Sequence, residues 1–257
     1  MATPRVAIVT GAASGMGRAA ALRLARTGTK VAAVDRTGEA LKDLEAAEPG
    51  VSAFECDVAD ADAVARVAGE IRTRLGDTDR LVNAAGICLA GTIGAIPTAD
   101  FRHTMEVNYF GTLHWVDAVL PAMRARRRGE IVNFASIAGF LPTPGVAAYG
   151  ASKFAVLGFT ETLAEETRSD GIRVVCVCPP AVDTPMLADI MAGTSLGARI
   201  NKFVKPISAE TVIDAIDKTL PGTRLLVLPG PGTAAMWRLR RYAPAVMTRL
   251  FRLVYGL

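Results

Sequence analysis

The chain contains few of the residues that usually build metal sites, disulfide frameworks and catalytic triads. Its 257 residues include only four cysteines and two histidines. The cysteines are Cys56, Cys88, Cys176 and Cys178. They show neither the CxxC spacing of zinc modules nor the density of a small disulfide-bonded domain. The histidines, His103 and His114, stand in no pattern typical of metal ligands or of a Ser–His–Asp triad, so we expect no metal site.

Long apolar runs and aromatic residues are also scarce. No uninterrupted apolar stretch reaches the ~18 residues expected of a membrane-spanning helix, and the first residues lead into a strand without a signal-peptide pattern. Aromatic residues make up 6% of the chain and are not interleaved with basic residues as in nucleic-acid modules. We therefore expect a reduced, cytoplasmic protein that binds no nucleic acid.

Acidic residues are absent from the last part of the chain. Asp217 is the last of them and seven lysines and arginines follow it, although the net charge of the whole chain is only +4. The basic character therefore belongs to the C-terminal part, residues 229–257, which we predict to extend a catalytic domain of residues 1–228. This extension reads as a basic amphipathic helix, kinked or restarted at Pro244. Its predicted apolar side comprises Leu239, Val246, Met247, Leu250, Leu253 and Val254, and its basic side Arg238, Arg241, Arg249 and Arg252.

Two interpretations of this extension stay open. A basic amphipathic helix can lie on a membrane surface that carries anionic lipid. Alternatively, the extension packs against a sister subunit or covers the substrate pocket. Contact with a membrane or with the pocket would suit an apolar, lipid-like or steroid-like substrate.

Short apolar runs that alternate with helical segments are abundant. We predict strands over residues 5–10, 30–35, 51–55, 81–86, 130–135, 172–179 and 223–228. We predict helices over about 38–48, 60–75, 98–126 and 208–220, after residue 17, and from Tyr149 onward. Residues 187–206 are predicted to form a flap. The alternation indicates one α/β domain with a Rossmann-type, doubly wound, seven-stranded parallel sheet.

The first strand leads into a glycine-rich turn. Gly11, Gly15 and Gly17 permit a tight turn and the close approach of a phosphate, which the N-terminus of the following helix attracts. Asp35 ends the second strand about 20 residues farther on, where a carboxylate binds ribose hydroxyls and repels a 2′-phosphate. Arg36 could instead pair with that phosphate, so NAD is favoured and NADP stays possible.

Three further positions are candidates for the same cleft. Asp57 follows the third strand and could meet the adenine amino group or cap the next helix. The fourth strand ends in small residues, Asn83–Gly86, that suit a flat cofactor. Asn108 lies within a predicted helix, where asparagine is locally unfavourable, which indicates either a specific role or a solvent-facing position.

A hydroxyl, a phenol and an ammonium follow the fifth strand. Ser136 lies at the sheet edge where α/β proteins usually bind ligands. Tyr149 and Lys153 are four residues apart and share one helical face. An ammonium near a phenol lowers its pKa from about 10, so Tyr149 could exchange a proton with an alcohol or carbonyl near neutral pH, while Ser136 holds the reacting oxygen. Alternatively, the pair is a half-buried tyrosine beside a solvated lysine. None of these groups donates a hydride, so redox chemistry needs a cofactor.

In combination, these motifs resemble those of the classical short-chain dehydrogenase/reductases, from Val6 through about Leu228. The matching pieces are Thr10–Gly17, Asp57-Val58, Asn83–Gly86, Asn108, Ser136, Tyr149, Lys153 and Thr184. The resemblance implies that Tyr149 is the general acid/base and that Lys153 lowers its pKa and binds the nicotinamide ribose. It also implies that Ser136 holds the substrate oxygen and that Asn108 supports a water leading protons from Lys153 to solvent.

The resemblance implies a complete cofactor site as well. Asp35 would bind the adenine ribose, and Asp57 and Val58 would contact the adenine. Asn83 would brace the sheet and the cofactor, and Thr184 would meet the nicotinamide carboxamide. The full predicted set is Gly11, Ser14, Gly15, Met16, Gly17, Asp35, Arg36, Asp57, Val58, Asn83, Ala84, Gly86, Tyr149, Lys153, Pro179, Val182 and Thr184.

These observations predict an oxidoreductase that transfers a hydride between NAD(H) and an apolar secondary alcohol or ketone. Two alternatives stay open: an NADP-dependent 3-oxoacyl-thioester reductase and a non-catalytic NAD(H)-sensing scaffold. The resemblance further implies a homotetramer or homodimer. The chain departs from the family at Pro179-Pro180, where Pro-Gly is usual; because proline fixes φ and lacks an N–H, we expect altered cofactor placement and substrate fit without loss of activity. The predicted pocket wall is mostly apolar and comprises Cys88, Ile137, Phe140, Val146, Leu187 and Met191.

Overall fold

A seven-stranded parallel sheet forms the centre of the computed structural model, which describes residues 3–191 and 205–255. The strands are β1 (Val6–Thr10), β2 (Lys30–Asp35), β3 (Val51–Glu55), β4 (Arg80–Asn83), β5 (Gly129–Phe134), β6 (Ile172–Val177) and β7 (Leu226–Val227). Their order across the sheet is β3-β2-β1-β4-β5-β6-β7, and all neighbours are parallel. The predicted Rossmann-type, doubly wound sheet is confirmed.

Helices connect successive strands, and two further helices follow β7. They are α1 (Gly15–Arg26), α2 (Gly38–Ala47), α3 (Ala61–Leu75), α4 (Thr98–Met105), α5 (Gly111–Arg126), α6 (Ala147–Glu166), α7 (Pro185–Met191), α8 (Ala209–Thr219), α9 (Thr233–Tyr242) and α10 (Pro244–Tyr255). A π-helical turn, Glu106–Phe110, joins α4 to α5, and short 3₁₀ turns lie at Ile137–Gly139 and Arg168–Asp170. The predicted flap begins as α7, and its residues 192–204 lie outside the described residues.

Both faces of the sheet are covered, as the apolar strands require. All five residues of β1 are buried, because strands of a parallel sheet face helices on both sides. One core cluster joins the sheet to α1, α2 and α8 through residues such as Leu24, Leu41 and Ile216. The other joins it to α3, α5 and α6, with Trp115 fully buried at its centre.

The strand order reverses between β1 and β4, which places a cleft at their carboxyl ends. β1 pairs with β2 on one side and with β4 on the other, so the connections that leave the two edges of β1 diverge. Ligands of open α/β sheets bind at such a switch point. The buried Thr10 holds the two strand ends together, because its Oγ1 accepts hydrogen bonds from the Ala84 and Ala85 N–H groups, each at 3.1 Å.

The last strand is shorter than predicted. Only Leu226 and Val227 pair with β6, whereas the sequence predicted a strand over 223–228. The preceding segment is held partly by its backbone, since the Leu225 carbonyl accepts from the Cys176 N–H at 2.9 Å. It is also held by the Arg173 guanidinium, which donates to the Leu220 carbonyl at 3.1 Å and to the Arg224 carbonyl. A side chain from the neighbouring strand therefore adds to the backbone pairing at this end of the sheet.

Residues 229–257, the predicted C-terminal extension, include two helices that pack on the rest of the α/β fold. The helical conformation is interrupted between α9 and α10 at Ala243, as the proline at 244 predicted. The Trp237 ring meets the Phe140 ring edge-on at 5.0 Å, and Arg240 Nε donates to the Phe140 carbonyl at 3.2 Å. In the part of the chain that the structure describes, no helix combines the length and apolar character needed to cross a membrane.

The apolar side predicted for this extension does not form one buried face. Met247 is buried, but Val246 and Leu250 are 49% and 46% exposed. The side chains of residues 253 and 254 lie outside the described residues. Helical periodicity shows which residues share a face, but it does not show how far a neighbouring element covers that face.

Candidate active site

Ser136 is fixed at the carboxyl end of β5 by the turn that follows it. Its Oγ accepts a hydrogen bond from the Ala138 N–H at 3.1 Å and so caps the 3₁₀ turn Ile137–Gly139. This turn packs directly on α6, because a Cβ on Gly139 would lie 2.7 Å from the Lys153 carbonyl oxygen. Ser136 is 8% exposed, so its side chain is almost completely enclosed.

Lys153 lies beneath Tyr149 on the same helix, α6. Its side chain is 5% exposed, and its Nζ donates to the Phe134 carbonyl at 2.8 Å. The same nitrogen lies 5.6 Å from the centre of the Tyr149 ring. Burial lowers the pKa of Lys153 to about 8, because the ammonium has lost most of its hydration. The alternative of a solvated lysine is wrong.

The pKa of Tyr149 is displaced in the direction opposite to the sequence prediction. Burial raises it well above its ordinary value, and the neighbouring Cys88 thiol acts in the same direction, while hydrogen bonding with Ser136 opposes both. Burial outweighs the groups that would lower the pKa of Tyr149, so the net shift is upward, and the part of Lys153 in lowering this pKa stays a prediction. The phenol therefore stays protonated near neutral pH.

Asn108 lies in the π-helical turn and is completely buried, so a solvent-facing position is excluded. Its Oδ1 accepts from the Ile87 N–H at 2.8 Å, and its Nδ2 donates to the Ile87 carbonyl at 3.0 Å. The same Nδ2 donates to Ser152 Oγ at 2.9 Å, and Ser152 Oγ donates to the Tyr149 carbonyl at 2.7 Å. Asn108 therefore ties the segment after β4 to the first turn of α6.

Ser152 is a site residue that the sequence did not single out. It is fully buried and links Asn108 to the backbone of Tyr149. Its only signal in the sequence is its place beside Lys153. Gly86 lies against the same group, since a Cβ there would approach Asn108 Oδ1 to 3.1 Å and Lys153 Nζ to 3.5 Å.

The glycine-rich turn packs closely against two other segments of the chain. Gly11 has a φ of +67°, and a Cβ on it would lie 2.8 Å from the backbone of Ala85. Gly15, with a φ of +53°, faces the side chain of Thr184, which a Cβ would approach to 3.2 Å. Ser14 precedes α1 without a side-chain cap, so the first N–H groups of the helix are available to a phosphate.

Gly17 provides a direct test of this turn. A Cβ at this position would lie only 2.2 Å from the Gly11 carbonyl oxygen, so Gly17→Ala must open the turn. We expect NADH to bind roughly tenfold or more weakly, because misplaced N–H groups lose charge-assisted hydrogen bonds to phosphate. Isothermal titration measures the change. The control is Gly69→Ala on α3, where a Cβ meets nothing within 4 Å. Equal NADH affinity in the two variants would contradict the proposed phosphate cradle.

Asp35 is held at the end of β2, on the same sheet edge as the glycine-rich turn. Its Oδ2 accepts from the Ala13 N–H at 3.1 Å, and its Oδ1 accepts from the Thr37 N–H at 3.2 Å. Each carboxylate oxygen keeps a further lone pair for a ribose hydroxyl. Arg36 is exposed and forms no ion pair with a residue that the structure describes.

The remaining predicted cofactor positions fall into two groups. Asp57 is exposed at the cleft edge, where its Oδ1 accepts from the Ala59 N–H at 2.9 Å. It does not cap α3, because Asp60 does so through the Ala63 N–H. Val58 and Asn83, by contrast, are buried, at 6% and 3% exposure.

Because Asn83 is buried, its side chain contacts neighbouring elements beneath the cleft. Its Nδ2 donates to Asn133 Oδ1 at 3.0 Å, which joins β4 to β5. Asn133 Nδ2 in turn donates to Thr160 Oγ1 on α6 at 3.1 Å. These contacts join β4, β5 and α6 beneath the cleft.

Comparison with known proteins gives a consistent result. The sequence model of a family described as short chain dehydrogenase matches residues 5–194. The chain belongs to this family. A relative, the 2-(R)-hydroxypropyl-CoM dehydrogenase of Xanthobacter autotrophicus, is 40% identical over 190 residues, which cover 71% of this chain and 76% of the relative. The 1-deoxy-11-beta-hydroxypentalenate dehydrogenase of Streptomyces exfoliatus is 34% identical over 229 residues, covering 86% and 81%.

A solved structure agrees over nearly the whole chain. The short chain dehydrogenase/reductase of Burkholderia phymatum, crystallised in complex with NAD, matches with a TM-score of 0.84 at 28% identity, covering 96% of each chain. The protein is therefore an oxidoreductase of the short-chain dehydrogenase family with the fold of that family.

The Pro179-Pro180 segment is integrated into this short-chain dehydrogenase fold. The Pro179 carbonyl accepts from the Ile137 N–H at 3.0 Å, directly after Ser136. Pro180 lies beside Gly230, where a Cβ would come within 3.5 Å of the proline ring. Farther along the loop, the Thr184 hydroxyl donates to the Val182 carbonyl at 3.2 Å. The loop therefore runs from the 3₁₀ turn after Ser136 to Thr184, whose side chain lies against Gly15.

Proposed function

We propose that this short-chain dehydrogenase transfers a hydride between NAD(H) and an apolar secondary alcohol or ketone, with Tyr149 as general acid/base. The observation that carries the proposal is the convergence of Ser136, Tyr149 and Lys153 at one end of β5. Gly86 lies directly against the lysine of this group, in the segment that follows β4, the strand that pairs with β1. Nicotinamide-dependent redox chemistry needs such an arrangement, in which a turn built from glycines leaves room for the cofactor beside the residues that transfer a proton.

The residues of the cleft fit a nicotinamide dinucleotide. Gly11, Gly15 and Gly17 would hold the pyrophosphate at the start of α1, and Asp35 would hold the adenine ribose. Lys153 would meet the other ribose, and Thr184 the carboxamide. When bound, the dinucleotide supplies the hydride donor or acceptor that no side chain provides. The solved relative that carries NAD supports this choice, and the fixed carboxylate of Asp35 favours NAD over NADP.

The side chains would act on the substrate oxygen. During reduction, the Tyr149 phenol gives its proton to the carbonyl oxygen while the Ser136 hydroxyl donates a hydrogen bond to the same atom. The Lys153 ammonium then offsets the negative charge left on the phenolate. Asn108 and Ser152 would fix the position of the Tyr149 backbone through their hydrogen bonds. During oxidation, the same groups act in reverse.

The reduction direction suits the electrostatics of the chain. A phenol whose pKa is raised by burial is held in its protonated form near neutral pH, which is the form that reduction requires. The residues beside the reacting groups favour an apolar substrate. Cys88 lies close to Tyr149, whose pKa it raises, and Ile137 directly follows Ser136. Two relatives named for the dehydrogenation of hydroxyl compounds support the alcohol and ketone class.

The test is a comparison of substrates with both cofactors. NADH-dependent and NADPH-dependent reduction is measured on a panel of alicyclic and steroid ketones and on 3-oxoacyl thioesters. We expect the highest kcat/KM with NADH and an apolar ketone. Preference for NADPH and a thioester would replace this function with the 3-oxoacyl-thioester alternative. Tight NADH binding without turnover on any substrate would favour the NAD(H)-sensing scaffold.

The pH dependence of reduction tests the part of Lys153. Below its pKa of about 8 the lysine is protonated and can offset the phenolate charge; above that pH it loses the proton and the effect. We therefore expect kcat/KM for ketone reduction to fall about tenfold per pH unit above this value. Lys153→Met, which has no titrating group, should be slow and lack this fall. A wild-type profile that stays flat through this range would contradict the role.

The oligomeric state and location stay predictions. A homotetramer or homodimer is supported by two partly exposed aromatic side chains, Phe110 at 37% and Phe154 at 44% exposure, on the π turn and on α6. Light scattering after gel filtration measures the state directly. The cytoplasmic location rests on the sequence expectation alone.

A further inference from the structure

The two C-terminal helices, α9 and α10, present an apolar strip to solvent. We call them together the tail hairpin, residues 233–255. Tyr242 is 79% exposed, Val246 49% and Leu250 46%. Val246 and Leu250 lie one turn apart on α10, and Tyr242 ends α9. Exposed large apolar side chains that form a patch mark an interaction site. No described element of the chain covers this strip.

Basic side chains border the apolar strip. Arg238, Arg241, Arg249 and Arg252 are all exposed on the hairpin. No aspartate or glutamate occurs after Asp217, and none of these arginines forms an ion pair with any residue in the described ranges. The hairpin therefore offers a positive charge that no acidic group of the described chain compensates.

We propose that the tail hairpin is a docking surface for membranes that contain anionic phospholipid. Apolar side chains flanked by arginines on one helix match the two layers of such a surface, acyl chains below and phosphate groups above. A second copy of the same surface is a poor partner, because face-to-face contact would bring like-charged arginines together.

The hairpin is rigidly coupled to the proposed active site. Met247 anchors α10 in the core cluster that contains Phe140 and Cys178. Trp237 and Arg240 both contact Phe140, four residues after Ser136. Docking would therefore fix the orientation of the catalytic domain on the membrane, which suits delivery of an apolar substrate.

Vesicle binding tests the proposal without reference to catalysis. The full chain is sedimented with vesicles of phosphatidylcholine alone and of phosphatidylcholine mixed with phosphatidylglycerol. We expect binding to the mixed vesicles only, and we expect it to weaken when salt is raised from about 0.1 M to about 1 M, which shortens the Debye length from roughly 10 Å to roughly 3 Å. Equal or absent binding to both vesicle types overturns the proposal, whatever the enzyme's activity.

Matched variants locate the surface. Arg249→Gln with Arg252→Gln should lower the partition coefficient roughly thirtyfold, about fivefold for each arginine near an anionic surface. The control, Arg66→Gln with Arg72→Gln, removes two exposed arginines from α3 and should bind like the wild type. Equal losses in both pairs would mean that net charge, and not the hairpin, attracts the vesicles, and would overturn the assignment.

The apolar strip is tested separately. Val246→Ser with Leu250→Ser should lower the partition coefficient about tenfold or more, since each buried aliphatic side chain contributes to insertion. Both side chains are exposed, so we expect an unchanged thermal midpoint. Unchanged vesicle binding, together with a loss of oligomers by light scattering, would assign the strip to subunit contact and overturn the proposal.

Discussion

Tyr149→Phe is expected to lower kcat/KM for ketone reduction by roughly 10²–10⁴-fold while NADH binding changes little. The phenylalanine keeps the ring above Lys153 Nζ, at 5.6 Å in the wild type, but has no proton to give to the substrate oxygen. The size of the effect is that of a single general acid/base. Steady-state kinetics gives kcat/KM, and a titration of NADH fluorescence gives the binding constant.

Tyr109→Phe is the matched control for this change. Tyr109 lies on the π turn, where its ring meets Phe110 edge-on at 5.1 Å and Phe159 at 6.0 Å. Loss of its hydroxyl should leave kcat/KM within about threefold of the wild type, as expected for a residue outside the proton path. A Tyr149→Phe enzyme as active as this control would remove Tyr149 from the mechanism.

Asp35→Asn is expected to reverse the cofactor preference. The amide keeps the shape of the carboxylate and only one of the two acceptors for the Ala13 and Thr37 N–H groups. It also loses the charge that favours ribose hydroxyls and repels a 2′-phosphate. One charge-assisted hydrogen bond contributes about 1.5–3 kcal/mol, so NADH should bind roughly ten- to hundredfold more weakly. NADPH should bind more tightly, because exposed Arg36 can then pair with its phosphate.

Glu39→Gln controls for the change in net charge. Glu39 is exposed in the first turn of α2, four residues beyond Asp35. Its neutralisation should leave the ratio of NADH to NADPH affinity near that of the wild type. If both variants shifted the ratio equally, general electrostatics and not the ribose contact would set the preference. Fluorescence titration of both dinucleotides decides between these outcomes.

The sheet and the cleft were predictable because local signals determine them. Five apolar residues in β1, a glycine turn and a helix start specify a buried strand that leads into a phosphate-binding turn. The spacing of Tyr149 and Lys153 placed both on one helical face, and their position after β5 placed them at the ligand edge. These inferences need only periodicity and the handedness common to parallel sheets.

The energetics of the site were not predictable, because they depend on contacts between distant segments. The pKa of Tyr149 depends on how deeply the fold buries the phenol, and the position of Lys153 Nζ depends on the Phe134 carbonyl, 19 residues away. The link from Asn108 to Ser152 spans 44 residues, and no local pattern indicates it. The sequence therefore identified the reacting groups but not their electrostatic balance.

The π turn and the tail hairpin show the same limit of prediction from the sequence. A helix over 98–126 was predicted, and the structure confirms it, but the sequence did not reveal that the helix widens at Asn108 to let its amide reach Ile87. The amphipathic pattern of the tail was also correct, yet only packing shows that Met247 is covered while Leu250 is exposed.

Transfer of deuterium from NADH that carries deuterium at both C4 positions of the nicotinamide shows whether the enzyme moves a hydride to a ketone. The labelled cofactor, an apolar ketone and the enzyme are incubated, and the alcohol is analysed by mass spectrometry. We predict a single deuterium on the carbinol carbon with the wild type, and very little product with Tyr149→Phe. Tight binding of NADH with no labelled alcohol from any ketone of the panel would contradict the account.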